Sequence, residues 1–279
     1  MGEGNGYFDA VGDGYAPRPV AASQWSSDQI VGPALCGLLA GALEAEHGGD
    51  GFVPARLTVD LFKPARMRPV SLTTTRVRDG KRIRLADALV SQDDGPVARA
   101  SVVFLRPSQD PPGAIWKRGE HPAPPPVDLA PPEVVEHAPW WHSDESGRWS
   151  RIFTEHENGS RKRSWQSPLP VLAGTPLTAF TRAAMAAEQT SMVTNWSDAG
   201  VGYINTDLTL GLARLPIGEW IGVEADNHLA ADGIAVGSAT LFDRQGSFGT
   251  AMITAVANAA RQITAARLDD VLATARTRS

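Results

Sequence analysis

Cysteine is nearly absent from this chain of 279 residues, and Cys36 alone cannot form a disulfide within it. The residues around Cys36 are apolar and have a helical pattern, so we expect a buried, unreactive thiol. No apolar run approaches the roughly 20 residues that a membrane-spanning helix requires. The sequence therefore predicts a protein without internal disulfides and without a membrane span.

Basic clusters are also missing. The net charge is −5, and no Lys/Arg stretch forms the basic stripe that is typical of nucleic-acid-binding proteins. The first residues are Gly-rich and acidic, unlike the basic and apolar start of a secretory signal. We therefore expect a cytoplasmic protein that binds no nucleic acid.

Several familiar site patterns are not found. There is no Gly-x-Ser-x-Gly elbow for a serine nucleophile, and the Gly clusters near the N-terminus lack the strand–loop–helix context of a phosphate loop. His137, His142 and His156 fit no standard zinc spacing. The sequence predicts neither a metal ion nor a cofactor.

The chain does contain a short internal repeat. Residues 57–64 and 204–210 each place an aspartate, Asp60 and Asp207, within an alternating apolar pattern. An Ala/Leu-rich helical stretch precedes each segment, and further strands follow. One fold used twice explains this repetition. We predict one unit over residues 1–107, a linker over 108–150, and a second unit with a terminal helix over 151–279.

Hydrophobic periodicity predicts the elements of each unit. The first helix covers residues 34–46, and Ser26, Ser27 or Asp28 is expected to cap it. Gly37 and Gly41 are expected to let this helix pack closely against a sheet. The second helix covers 177–192, with Thr175 as its cap. The predicted strands cover residues 56–63, 70–77, 81–92, 97–105, 202–212, 219–228, 233–242 and 247–257. A terminal helix is expected over 262–276. In each unit, a curved antiparallel sheet wrapped around the helix would bury such a helix, which has few charges.

The connection is rich in proline and tryptophan. Prolines recur through residues 107–139 and stiffen the chain as an extended spacer. Because an exposed Trp is costly, Trp116, Trp140, Trp141 and Trp149 are expected to pin the spacer onto the surfaces of the two units.

A family resemblance rests on six short segments. They are Val59-Asp-Leu-Phe-Lys-Pro64, Arg78-Asp-Gly80, Asn205-Thr-Asp-Leu-Thr-Leu210, Gly218-Glu-Trp220, Asp232-Gly233 and Leu241-Phe-Asp-Arg-Gln-Gly246. With these, residues 25–260 resemble the double-hotdog acyl-CoA thioesterases, the acyl-CoA thioesterase II-like and actinobacterial thioesterase-like proteins. The resemblance implies an α+β fold made of two hotdog units in tandem.

The resemblance also implies a catalytic network. Asp207 matches the aspartate that activates water, and the next polar position falls on Asp226 or Asn227. The last position, a Gln in the family, falls on Val256. The network is therefore either incomplete or rebuilt from Asn227, His228 or Thr254. Asp60, the repeat mate of Asp207, has no such support from the family.

The resemblance implies that the catalytic carboxylate of one unit, Asp207, faces the helix start of the other unit, so substrate contacts are expected where the first helix begins. Gly32 and Ala34 would offer backbone N–H groups to the thioester oxygen, because a helix N-terminus attracts negative charge. His228 could exchange protons near neutral pH. Packing around Leu35, Phe180 and Met185 would set the depth of the acyl tunnel.

The sequence thus favours an enzyme that hydrolyses a fatty acyl-CoA to free acid and CoA with water activated by Asp207. A non-catalytic acyl-CoA-binding protein is an alternative, and the missing Gln favours it. A hotdog hydratase ranks last, since no Asp-x-Asn-x-x-His pattern occurs. Exposed sheet edges and outer faces favour a homo-oligomer.

Overall fold

The computed structural model describes residues 5–134 and 136–276. Its first half contains β1 (Phe8–Val11), β2 (Gly14–Pro17), α1 (Gly32–His47), β3 (Val53–Leu61), β4 (Val70–Asp79), β5 (Ile83–Gln92) and β6 (Gly95–Leu105). Its second half contains β7 (Trp140–Ser143), β8 (Trp149–Ser150), β9 (Lys162–Gln166), α2 (Ala179–Ala187), α3 (Thr190–Asn195), β10 (Trp196–Ser197), β11 (Gly200–Val201), β12 (Tyr203–Asn205), β13 (Asp207–Leu212), β14 (Ile221–Ala231), β15 (Ile234–Asp243), β16 (Gly246–Ala257) and α4 (Ala265–Arg276).

One antiparallel sheet runs through both halves. Its order is β1-β2-β4-β5-β6-β3-β13-β16-β15-β14-β9-β7-β8, with β12 paired to β16. The long strands alternate buried and accessible residues, as the period of two predicts for a sheet with one covered face. Each half therefore buries its helices on the concave side of its own part of the sheet, which confirms the predicted α+β architecture.

The two halves join where the two repeat segments, residues 57–64 and 204–210, pair with each other. β3 and β13 pair in register, with Asp60 opposite Asp207 and Leu57 opposite Leu210. The leucines point into the core, while both aspartates lie on the outer face of the sheet, away from the helices. The sequence repeat is thus also the seam of the molecule.

The helices of the two halves pack side by side in opposite directions. Gly37 of α1 lies against Met185 of α2, and Gly41 lies against Thr181. Gly37 therefore allows a close approach between two helices, rather than between a helix and a sheet as the sequence suggested. None of the helices in the described parts of the chain is long and apolar enough to cross a membrane.

Two predicted caps are wrong. α1 begins after Val31, whose side chain caps nothing, because the chain at Ser26–Asp28 lies several residues before the first turn. α2 is capped by Thr178, which accepts a bond of 3.0 Å from the N–H of Thr181. The single predicted helix over 177–192 is divided into α2 and α3, since the backbone tightens to i−3 hydrogen bonds at Gln189. The predicted terminal helix is confirmed as α4.

The first part of the connection is irregular and exposed, whereas its last part forms a strand that is packed on the second half. No helix or strand forms in the described residues between β6 and β7, in keeping with its prolines. Trp116 is 86% exposed, so the prediction that it pins the spacer is wrong. Trp141 is buried against Phe153 and Trp196, because β7 pairs with β9 at the end of the sheet that belongs to the second half.

Candidate active site between the two halves

A cavity of about 1630 Å³ lies between the two halves. The start of α1 and the end of β3 form one side, and the α2–α3 junction with β12 forms the other. Apolar side chains line much of it: Leu35, Leu61, Trp141, Met185 and Met192. Leu35 and Met185 are thus placed where an acyl chain would lie, whereas Phe180 is buried elsewhere in the core. The volume is ample for a drug-sized or larger ligand.

The start of α1 meets the second half at Glu188. The Glu188 carboxyl lies directly against Gly32, and any side chain at position 32 would collide with it. No side chain caps this helix. Gly32 lines the cavity, but Ala34 is fully buried and does not. Of the two residues predicted to bind substrate there, Gly32 alone borders the cavity.

Glu188 is the most strongly perturbed carboxyl group at this site. Its side chain is half-buried at the cavity wall, and the loss of solvent there raises the pKa of its carboxyl to about 7. Asn205 opposes this effect by donating a hydrogen bond of 3.3 Å to Oε1, which favours the ionised form. Burial, together with the charge of Glu188, also raises the pKa of Tyr7 to about 12 and raises the pKa of the Cys36 thiol. Both neighbours therefore remain neutral near pH 7.

Asp207 is held by Thr254 on the last long strand. The backbone N–H of Thr254 donates to Oδ1 at 3.0 Å, and its hydroxyl donates to Oδ2. Thr206 adds a bond of 3.3 Å to Oδ2. Asp207 itself does not line the cavity. Its neighbours Asn205 and Thr206 form the wall at that point.

Val256 has no contact with this network. It is 48% exposed and lies opposite Ile204 on β12. The residue of β16 that meets Asp207 is Thr254, two positions earlier. On β16 it is thus Thr254, and not Val256, that contacts the Asp207 carboxylate.

Asp226, Asn227 and His228 lie elsewhere. They belong to β14, which is separated from β13 by β15 and β16, so they are roughly 14 Å from Asp207 across the sheet. All three line a second cavity of about 470 Å³. The structure does not bring Asp226 and Asn227 together with Asp207, because strands that follow each other in the sequence are not neighbours here.

The Asp226 carboxylate is already occupied by protein groups. Arg118 from the connection donates to Oδ1 at 2.5 Å, and Thr240 donates to Oδ2 at 2.7 Å. His228 packs its ring edge-on against Tyr203, with ring centres 5.6 Å apart. These contacts tie the connection and β12 to β14.

Sequence reasoning missed Glu188 as a site residue. Its signal was present, since Glu188 follows Ala184 by four positions on the apolar face of the predicted helix. An acid on such a face is costly unless it has a role or a partner.

A metal centre is not indicated by the side chains that the structure describes. Among the described residues, no group of three or more His, Cys, Asp or Glu side chains could hold a metal ion.

Two antiparallel units, each curved around its own helices and fused through β3 and β13, define a tandem hotdog protein. Solved structures share this fold. They include the tesB protein of Mycobacterium avium subsp. paratuberculosis, at 15% identity and a TM-score of 0.64, with 90% of this chain and 95% of that chain covered. A hot dog fold protein of unknown function from Alicyclobacillus acidocaldarius is 16% identical, with a TM-score of 0.63 and coverage of 90% and 95%. Acyl-CoA thioesterase II TesB2 from Mycobacterium marinum is 13% identical, with a TM-score of 0.61 and coverage of 90% and 94%.

Family models identify the chain more directly. The acyl-CoA thioesterase N-terminal domain matches residues 21–105, and the acyl-CoA thioesterase C-terminal domain matches residues 112–255. The chain belongs to the acyl-CoA thioesterase family, and it is a thioester hydrolase by that membership. No curated protein matches it.

Proposed function

We propose that this protein hydrolyses a fatty acyl-CoA to the free acid and CoA in the cavity between its halves. The observation that carries the proposal is the meeting of apolar walls with a polar end at Gly32, Glu188 and Asn205. An acyl chain would lie along Leu35 and Met185. The thioester would then reach the start of α1, where backbone N–H groups and the helix dipole stabilise a developing oxyanion.

In this proposal Asp207 activates the hydrolytic water, as the family resemblance implies. Its fixed orientation supports the role, because two donors from Thr254 hold the carboxylate. Thr206, which donates to Asp207 Oδ2, is itself part of the cavity wall, so the carboxylate lies one residue away from the space proposed for the substrate. An ionised carboxylate accepts a hydrogen bond from water and raises its nucleophilicity.

The test is thiol release from short, medium and long acyl-CoAs by the purified chain. Wild type should release CoA with saturable kinetics, and Asp207→Ala should lose about a hundredfold in kcat, roughly 2.7 kcal/mol of barrier. Asp60→Ala is the matched control, since it removes the facing carboxylate and leaves Thr254 in place. Absence of turnover by wild type on every acyl-CoA would overturn the proposed activity, and equal rates for wild type and Asp207→Ala would overturn the role of Asp207.

A non-catalytic acyl-CoA-binding protein is the second candidate. The observation that favours it is that Asp207 lies outside the cavity wall, so a bound thioester would not contact it directly. This candidate predicts saturable acyl-CoA binding by calorimetry without thiol release. Assembly into a homo-oligomer stays a prediction, which light scattering of the purified chain would test.

A further inference from the structure

We infer that Glu188 is a further catalytic residue of this enzyme: it accepts the proton of the water that attacks the thioester at the start of α1. The inference rests on the proposed thioester hydrolysis. It does not depend on the role of Asp207, because Glu188 lines the cavity itself.

The geometry places Glu188 where the reaction would occur. The side chain comes from the α2–α3 junction of the second half and lies against Gly32 of the first half. A carboxyl from one half thus faces the helix start of the other, an arrangement that the sequence assigned to Asp207. Asn205 holds Oε1 from the side of β12. The cavity provides room for a substrate next to these groups.

The surroundings of Glu188 suit a base that works near neutral pH. Burial raises the pKa of Glu188 to about 7, so the carboxyl can both take up and release a proton there. Two titratable groups face it, Tyr7 from the N-terminal strand region and Cys36 from α1, and both stay neutral near pH 7. Other charged side chains on the cavity wall are Lys63, Glu136, His137, Arg151, Arg267 and Asp270.

The proposed step is balanced in atoms and charge. Ionised Glu188 takes a proton from water as the water oxygen forms a bond to the thioester carbon, and the carbonyl electron pair moves onto oxygen near the Gly32 N–H. When this oxyanion collapses, the C–S bond breaks. Neutral Glu188 then returns its proton to the CoA sulfur. Negative charge moves from Glu188 to the oxyanion, so the buried site never carries both.

The experiment compares Glu188→Gln with Glu44→Gln. Glu44 of α1 makes the corresponding contact in the other half, where Thr178 at the start of α2 donates to it, and it does not line the cavity. Glu188→Gln should lower kcat by at least about a hundredfold with little change in KM, while Glu44→Gln stays close to wild type. The wild-type rate should rise with pH through about 7, the pKa of Glu188, and reach a plateau. This rise should vanish in Glu188→Gln.

A conservative variant separates catalysis from a structural role. Glu188→Asp keeps a carboxyl, so it should restore a pH-dependent rate at a lower maximum, although the shorter side chain loosens the contact with Gly32. Thermal melting checks that each variant is folded. If folded Glu188→Gln keeps the wild-type kcat and pH profile while wild type is active, the inference is overturned and the proposed activity stands. If wild type hydrolyses no acyl-CoA, both are overturned.

Discussion

Asp60 and Asp207 face each other across the pairing of β3 with β13, each from the same position of its own half. Like charges that face each other in adjacent strands repel, so each carboxylate needs a partner. Asp60 accepts a bond of 2.7 Å from Arg99, and Asp207 takes two from Thr254. The two equivalent carboxylates are therefore stabilised by different partners, an arginine for Asp60 and a threonine for Asp207.

This difference predicts unequal effects of removing the two carboxylates. Asp207→Ala leaves the Thr254 N–H without its acceptor, so it should lower the free energy of unfolding by about 1 kcal/mol. Asp60→Ala loses only a solvated ion pair with Arg99, so its stability should equal that of wild type within error. Urea denaturation of both variants measures the difference. A larger loss in Asp60→Ala would contradict the assignment of partners.

The raised pKa of Glu188 predicts that stability depends on pH. The ordinary value is 4.5 and the folded value is about 7, so the native state holds a proton that the unfolded chain releases between them. Stability from this group is therefore present below pH 4.5 and is lost as pH rises towards about 7, by roughly 3 kcal/mol in total. Glu188→Gln cannot ionise. Its stability relative to wild type should increase over that pH range in urea denaturation, and a constant difference would argue against burial of the charge.

Close packing of the helices predicts opposite effects at two glycines. A Cβ at position 37 would lie 2.6 Å from Cγ2 of Val171 and 2.7 Å from Cγ of Met185, so Gly37→Ala should cost about 1–3 kcal/mol. At position 41 the nearest atom, Oγ1 of Thr181, is 3.5 Å away. Gly41→Ala should therefore gain up to about 1 kcal/mol from helix propensity. Differential scanning calorimetry of the pair checks the sign of each change.

An ion pair between a buried carboxylate and a half-buried guanidinium predicts a loss of stability at Asp243. Its carboxylate has no exposed area, and Arg214 binds both oxygens at 2.6 and 2.8 Å. Burial alone would raise the pKa of Asp243, but Arg214 and the N–H groups of Ile217 and Gln245 lower it. Asp243→Asn should cost about 1–3 kcal/mol, because Arg214 and the N–H groups of Ile217 and Gln245 lose a charged acceptor. The loss should shrink as the pH falls below the ordinary pKa of Asp and through the lowered pKa of native Asp243, because the unfolded wild-type chain then takes up a proton before the native carboxylate does. Denaturation at neutral and acid pH tests both parts.

Local patterns were sufficient for the first helix, for the long strands and for the doubling of the fold. Alternation over residues 81–92 and 233–242 closely matches β5 and β15, because each strand buries one face on its own core. Strand order could not be obtained in this way. β13 pairs with β3 and β16, not with β14, and this choice depends on how the halves pack. The grouping of Asp207 with Asp226 and Asn227 assumed neighbours that the sheet separates.

The site was only partly accessible to the same reasoning. Gly32 was expected at a helix start that faces a carboxyl of the other half, and it does face one. The identity of that carboxyl, Glu188, depends on the antiparallel packing of α1 on α2, which no local pattern specifies. The sequence offers Thr254, with Asn227 and His228, as a replacement for the missing Gln, and the register of β13 on β16 brings Thr254 against Asp207.

The seam between β3 and β13 also bears on how the chain could be divided. Each of these strands is hydrogen-bonded to a neighbour on both sides. Separating the halves would therefore leave one long row of amide and carbonyl groups unpaired on each half. A break introduced in the proline-rich connection, far from this row, would leave two pieces with matching open edges. Such pieces should recombine when co-expressed and remain insoluble when made singly, which would make complementation between fragments a natural property of this architecture.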